Sequence, residues 1–68
     1  MKIKKGDTIK MNPKLKDEIK RQSWGYNVRF GKKYMVYDVY GSNIIFNGDN
    51  GNAVNGHGIN PSRVLKVK

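Results

Sequence analysis

The chain has 68 residues, room for one domain, and a formal net charge of +9 from 14 Lys and Arg against 5 Asp and Glu. It contains no cysteine, which excludes a disulfide framework, a zinc ribbon and thiol redox chemistry, and is in keeping with a reducing compartment. No apolar run approaches the roughly 18 residues of a membrane span, and the basic start at Lys2, Lys4 and Lys5 has no apolar stretch behind it, so neither a membrane anchor nor a signal peptide is expected.

In chain order, Gly6–Met11 alternates polar with apolar residues and predicts a short strand burying Ile9 and Met11. Asn12 is a favoured helix cap and Pro13 suits a first helical position, so residues 13–21 are expected to form one short helix. Leu15 and Ile19 share its buried face, and Asp17 and Glu18 precede Lys20 and Arg21 in the order that suits the helix dipole. Two apolar residues make a narrow stripe, so this helix is expected to lie as a lid on the rest.

Residues 22–31 read as a loop holding Trp24, Tyr26 and Phe30. Lys32–Tyr40 is the strongest strand signal. Strict alternation would send Met35, Tyr37 and Val39 to one side and Tyr34, Val36, Asp38 and Tyr40 to the other. Gly41-Ser42 predicts a two-residue hairpin turn of type II′, with residues 43–47 returning as the partner strand. On that register, Asp at Val36 or at Ile45 should unfold the chain. Asn47–Asn52 is turn chemistry, Ala53–Asn55 is expected to form a short strand, and Gly56-His57-Gly58 is a break. The end, Ile59–Lys68, reads as a tight turn at residues 60–63 and a closing strand.

Three stretches carry a likeness to the SH3-like small barrels. Lys5-Gly6-Asp7-Thr8-Ile9-Lys10 resembles their first strand, Gly31–Val39 resembles their central strand, and Ile59–Val67 is similar to the 3₁₀ turn and last strand that close them. The resemblance implies an all-β barrel of about five short strands, with the helix at 13–21 as an insert and a 3₁₀ turn before the last strand. Within that class the groove of proline-peptide binders is not matched. The string Val36–Tyr40 sits mid-chain, and no acidic cluster stands ready for a basic ligand. The KOW-related barrels of ribosomal and transcription proteins, and the SH3-like proteins that bacteriophages encode, fit Gly6-Asp7-Thr8-Ile9, Gly31-Lys32 and the basic charge better. The insert at 13–21 departs from the compact spacing of a KOW motif. The resemblance thus implies a cytoplasmic binding protein (in the host cytoplasm if phage-encoded).

Catalysis has little to stand on. The single histidine, His57, lies between two glycines with no carboxylate near it in sequence to orient it. Asp49-Asn50-Gly51-Asn52 supplies one carboxylate where a calcium loop needs several. No enzyme, metal or cofactor is expected.

Binding is the stronger reading. Residues 1–21 hold eight Lys and Arg against three acidic side chains, a field that favours nucleic acid or an acidic protein. Cations for phosphates and flat rings for bases are what nucleic-acid contact needs. Lys14, Lys16, Lys20 and Arg21 on the helix, Trp24, Tyr26 and Arg29 in the loop, and Lys32 and Lys33 at the foot of the main strand are the candidates. Trp24 and Phe30 are also expected as core, since few other large residues exist to fill it. The alternative function is a protein-interaction module docking on an acidic surface of transcription, translation or nuclease machinery. A lysine stripe with exposed aromatics would favour nucleic acid; an apolar patch rimmed by lysines would favour a protein.

Overall fold

A computed structural model describes residues 3–67. The chain is mostly β, with one antiparallel four-stranded sheet and one short helix. Strand β1 is Thr8–Met11, helix α1 Lys16–Arg21, strand β2 Lys33–Tyr40, strand β3 Asn43–Phe46 and strand β4 Val64–Val67. Their order across the sheet is β3-β2-β1-β4. Alternation works as expected in β1, where Ile9 and Met11 are buried between exposed neighbours. Ile9, Met11, Ile19, Val36, Ile44 and Phe46 form the centre of the core, with Ile59 and Val64 beside them. Each such side chain contributes roughly 1.5–3 kcal/mol by leaving water.

The expected helix 13–21 divides in two. Pro13–Leu15 is a 3₁₀ turn and only Lys16–Arg21 is α-helical. The reason is local: Asn12 Oδ1 accepts the Lys14 N–H at 3.0 Å, tightening the entry, and Leu15 at φ −108° and ψ 22° interrupts the helical backbone. Six residues are under two turns, so α1 owes its stability to packing. Ile19 is buried on its inner side and Leu15 packs against the core. The same Asn-Pro device recurs at the other end, where Asn60 Oδ1 accepts the Ser62 N–H at 3.0 Å and Pro61–Arg63 forms a 3₁₀ turn. The two turns are tied directly, the Asn12 N–H donating to the Arg63 carbonyl at 3.0 Å.

The hairpin closes as expected on Tyr40↔Asn43. Gly41 has φ 63° and no other residue type among those described has positive φ, which are the φ signs of a type II′ turn. Its register differs from strict alternation. Val36 pairs with Phe46, but Asp38 pairs with Ile45, so Tyr37 is an extra residue, a β-bulge. Beyond it the parity flips. Val39 faces the same side as buried Ile44, whereas Asp38 and Tyr40 turn outward with Ile45 and Asn43. Ile45 is therefore half-buried and not a core residue, and the expectation that Asp there unfolds the chain is corrected.

The strand expected at Ala53–Asn55 is reduced to a single bridge, Asn47↔Ala53, with the Val54 N–H donating to the Phe46 carbonyl at 3.0 Å. A second bridge joins Ile44 to Ile59. Between them the chain turns at Asn55–Gly58, where Gly58 has φ 84° and lies so near Asn43 that a Cβ there would meet the Asn43 Cβ at 2.7 Å. That excursion prevents a continuous ladder along β3.

Candidate nucleic-acid interface

The nine residues expected to bind do not all share one surface. Trp24 is only 5% exposed and belongs to the core, so its place among contact residues is corrected. The cause is Gly25, whose backbone lies against the end of α1. A Cβ there would stand 2.3 Å from the Ile19 carbonyl oxygen and 3.1 Å from the Lys20 Cα. That approach turns the chain under the helix and drives Trp24 inward.

The next residue, Tyr26, is 79% exposed in the 3₁₀ turn Gly25–Asn27, beside the C-terminal turn of α1. Lys16 and Lys20, four residues apart, share one flank of that helix. Lys16 Nζ sits 5.7 Å from the centre of the Phe30 ring, a cation–π contact that joins the helix to the loop carrying Arg29 and Lys32. Lys16, Lys20, Tyr26, Arg29 and Lys32 thus lie on one side of the molecule. Among the described residues Lys14, Lys16, Lys20 and Arg21 make no ion pair. Glu18, one of the two acidic residues of α1, is engaged by Arg63 (Nη2–Oε1, 3.0 Å) on the other flank.

Two expected residues fall elsewhere. Lys14 lies in the 3₁₀ turn before α1, near the Glu18 flank. Lys33 leaves β2 on the opposite side from Lys32, because successive strand residues alternate, and pairs in register with Lys10 on the outer face of the sheet.

The loop cations are organised by a residue that the sequence shows only as part of a turn. Asp49 accepts Lys32 Nζ at 2.6 Å, Arg29 Nε at 3.0 Å and the Tyr34 hydroxyl at 3.1 Å. The same hydroxyl accepts the Arg29 N–H at 2.8 Å. Lys32 Nζ also lies 5.4 Å from the Tyr34 ring centre. The hydrogen bond from Lys32, and then those from Tyr34 and the Arg29 charge, hold the Asp49 carboxyl below the usual aspartate range. Burial, with the Asp49 carboxylate beside it, pushes the Tyr34 phenol up.

Asp49 is itself placed by buried Asn27. The Asp49 N–H donates to the Asn27 carbonyl at 2.8 Å, and Asn27 exchanges side-chain hydrogen bonds with Asn50 at 2.8 and 3.0 Å. Gly48 makes the approach possible, since a Cβ there would lie 2.3 Å from Asn27 Nδ2. Two asparagines in separate turns give no sequence signal that they will meet.

His57 is exposed, and its carbonyl accepts from Asn43 Nδ2 at 3.0 Å. Among the described residues no three of His, Cys, Asp and Glu come together as a metal-binding group, and no helix is long and apolar enough to cross a membrane. No model of a known protein family matches the chain, and no curated protein or solved structure does either.

Proposed function

We propose that the protein is a small SH3-like barrel that acts without catalysis, binding nucleic acid by its phosphate backbone through Lys16, Lys20, Arg21, Arg29 and Lys32, with Tyr26 as a stacking surface. The fold part of this reading is supported by β2, which pairs with β1 before its bulge and with β3 beyond it. It is supported too by the 3₁₀ turn before β4 and by the two bridges that lay residues 53–59 along the free edge of β3.

The observation that carries the functional reading is the contact of Lys16 with Phe30. It makes one surface of two cationic segments that the sequence separates by a buried tryptophan. Only Asp49 offsets Arg29 and Lys32 on that surface, and its single carboxylate is shared between two cations. A phosphate oxygen is an alternative acceptor for either. Lysines on a flexible stem and one exposed ring give backbone contact with little base preference.

The test is binding of single- and double-stranded DNA and RNA oligonucleotides across a salt series. Affinity should fall steeply with salt, and the triple substitution K16Q/K20Q/R21Q should reduce the log–log slope by about 2–3, roughly one unit per lost phosphate contact. Binding no tighter than that of an unrelated protein of equal charge would overturn the proposal. So would a triple variant with an unchanged slope.

A further inference from the structure

The outer face of the sheet carries a second cationic feature of different construction. There the register sets Lys10 of β1 directly opposite Lys33 of β2, with both side chains exposed. Like charges in that position, with Cβ atoms about 4.5–5.5 Å apart, destabilise the pairing. The face supplies no counter-charge: among the described residues neither lysine makes an ion pair, and across β1 from Lys10 stands Leu65. The next row is Met35, Thr8 and Val67, also in register. Met35 is 62% exposed, and Tyr37 and Tyr40 continue outward along β2, with Tyr40 66% exposed. A repelling lysine pair therefore borders an apolar strip on one open face.

We propose that this face docks a protein segment that sets an acidic side chain between Lys10 and Lys33 and lays apolar side chains along Met35, Tyr37 and Val67. The argument is charge complementarity. A carboxylate between two ammonium groups gains charge-assisted hydrogen bonds and removes the repulsion that the free protein carries. Nucleic acid fits this face less well. Two cations side by side make no track for a backbone, and Met35, Leu65 and Val67 offer no flat surface for a base. Aliphatic side chains around a few fixed charges are the composition of a protein interface. This site and the helix–loop surface share no residue, so either fails independently of the other.

The experiment is an amide NMR titration of the isotopically labelled protein with three probes. These are a synthetic peptide alternating glutamate with leucine and tyrosine, a glutamate-only peptide of equal charge, and a single-stranded oligonucleotide. The mixed peptide should shift the signals of Thr8, Lys10, Lys33, Met35, Leu65 and Val67, and should bind more tightly than the glutamate-only peptide. K33E and M35K should each weaken it by about tenfold or more, and K16Q/K20Q/R21Q should leave it unchanged. K33E removes the repulsion, so it should retain or raise Tm while losing binding, which separates a docking role from a structural one. The proposal is overturned by any of four results. They are no shift on this face, shifts confined to the helix–loop surface, equal affinity for the two peptides, or a face that responds only to the oligonucleotide or to self-association.

Discussion

The two cationic regions differ in how their charges are held. On the helix–loop surface each cation near the core has something to lean on: Lys16 has the Phe30 ring, and Arg29 and Lys32 have Asp49. On the outer face of the sheet Lys10 and Lys33 are set side by side by backbone pairing alone. In the first region tertiary contacts recruit a counter-charge from a distant turn; in the second the ladder imposes the neighbour and gives it nothing. High net charge is thus two separate features here, one compensated within the fold and one left open.

Damage to the shared core should abolish both regions at once. Val36 is fully buried, and V36D places a carboxylate among Ile9, Phe46 and their neighbours. The cost of several kcal/mol compares with a total stability of roughly 3–10 kcal/mol for a chain of this size at 0.05–0.15 kcal/mol per residue. Fluorescence of Trp24, the single tryptophan, should report an unfolded protein at room temperature. Asp at Ile44 should do the same, whereas Asp at Ile45 should leave a cooperative thermal transition, because Ile45 faces outward opposite Asp38. Unfolding of the Ile45 variant would contradict the bulge at Tyr37.

Next in size is G25A, which breaks the helix–loop region and spares the sheet. A Cβ at this position meets the Ile19 carbonyl oxygen and must push α1 away. A loss of about 1–3 kcal/mol is expected in urea denaturation, with amide shifts concentrated in residues 15–30. A protein as stable as the parent would mean that α1 is not held against this turn.

D49N sharpens the comparison by removing the counter-charge. A carboxyl held below its ordinary range stabilises the fold fully above that range, at about pH 4 and higher, and the contribution is lost as pH falls through the lowered value. The variant should therefore be less stable than the parent at neutral pH, and the two should converge in strong acid. Urea denaturation as a function of pH checks this. With Arg29 and Lys32 released, nucleic-acid affinity should also fall more steeply with salt.

The smallest effect is expected at the open pair. Placing Glu at Lys33 turns a repelling neighbour of Lys10 into an attracting one and should raise Tm by a few degrees at most. A drop in Tm would mean that the two lysines are not in conflict.

What the amino-acid order determined by itself is local. Alternation marked Ile9 and Met11 as core, Asn before Pro marked both tight turns, Gly41-Ser42 marked the hairpin, and Leu15 and Ile19 marked the inner side of the helix. Each of these depends on neighbours within a few residues, where backbone sterics and one side-chain hydrogen bond decide the outcome. The tertiary structure decided the rest. The bulge at Tyr37 depends on how β2 serves two partners, and Trp24 went inward because Gly25 meets a carbonyl of α1. Asp49 became the centre of a cation cluster because Asn27, 22 residues earlier in the chain, holds its turn in place. Contacts between residues distant in sequence leave no period and no spacing to read, so the arrangement of the charges, as distinct from their number, emerged only from the folded chain.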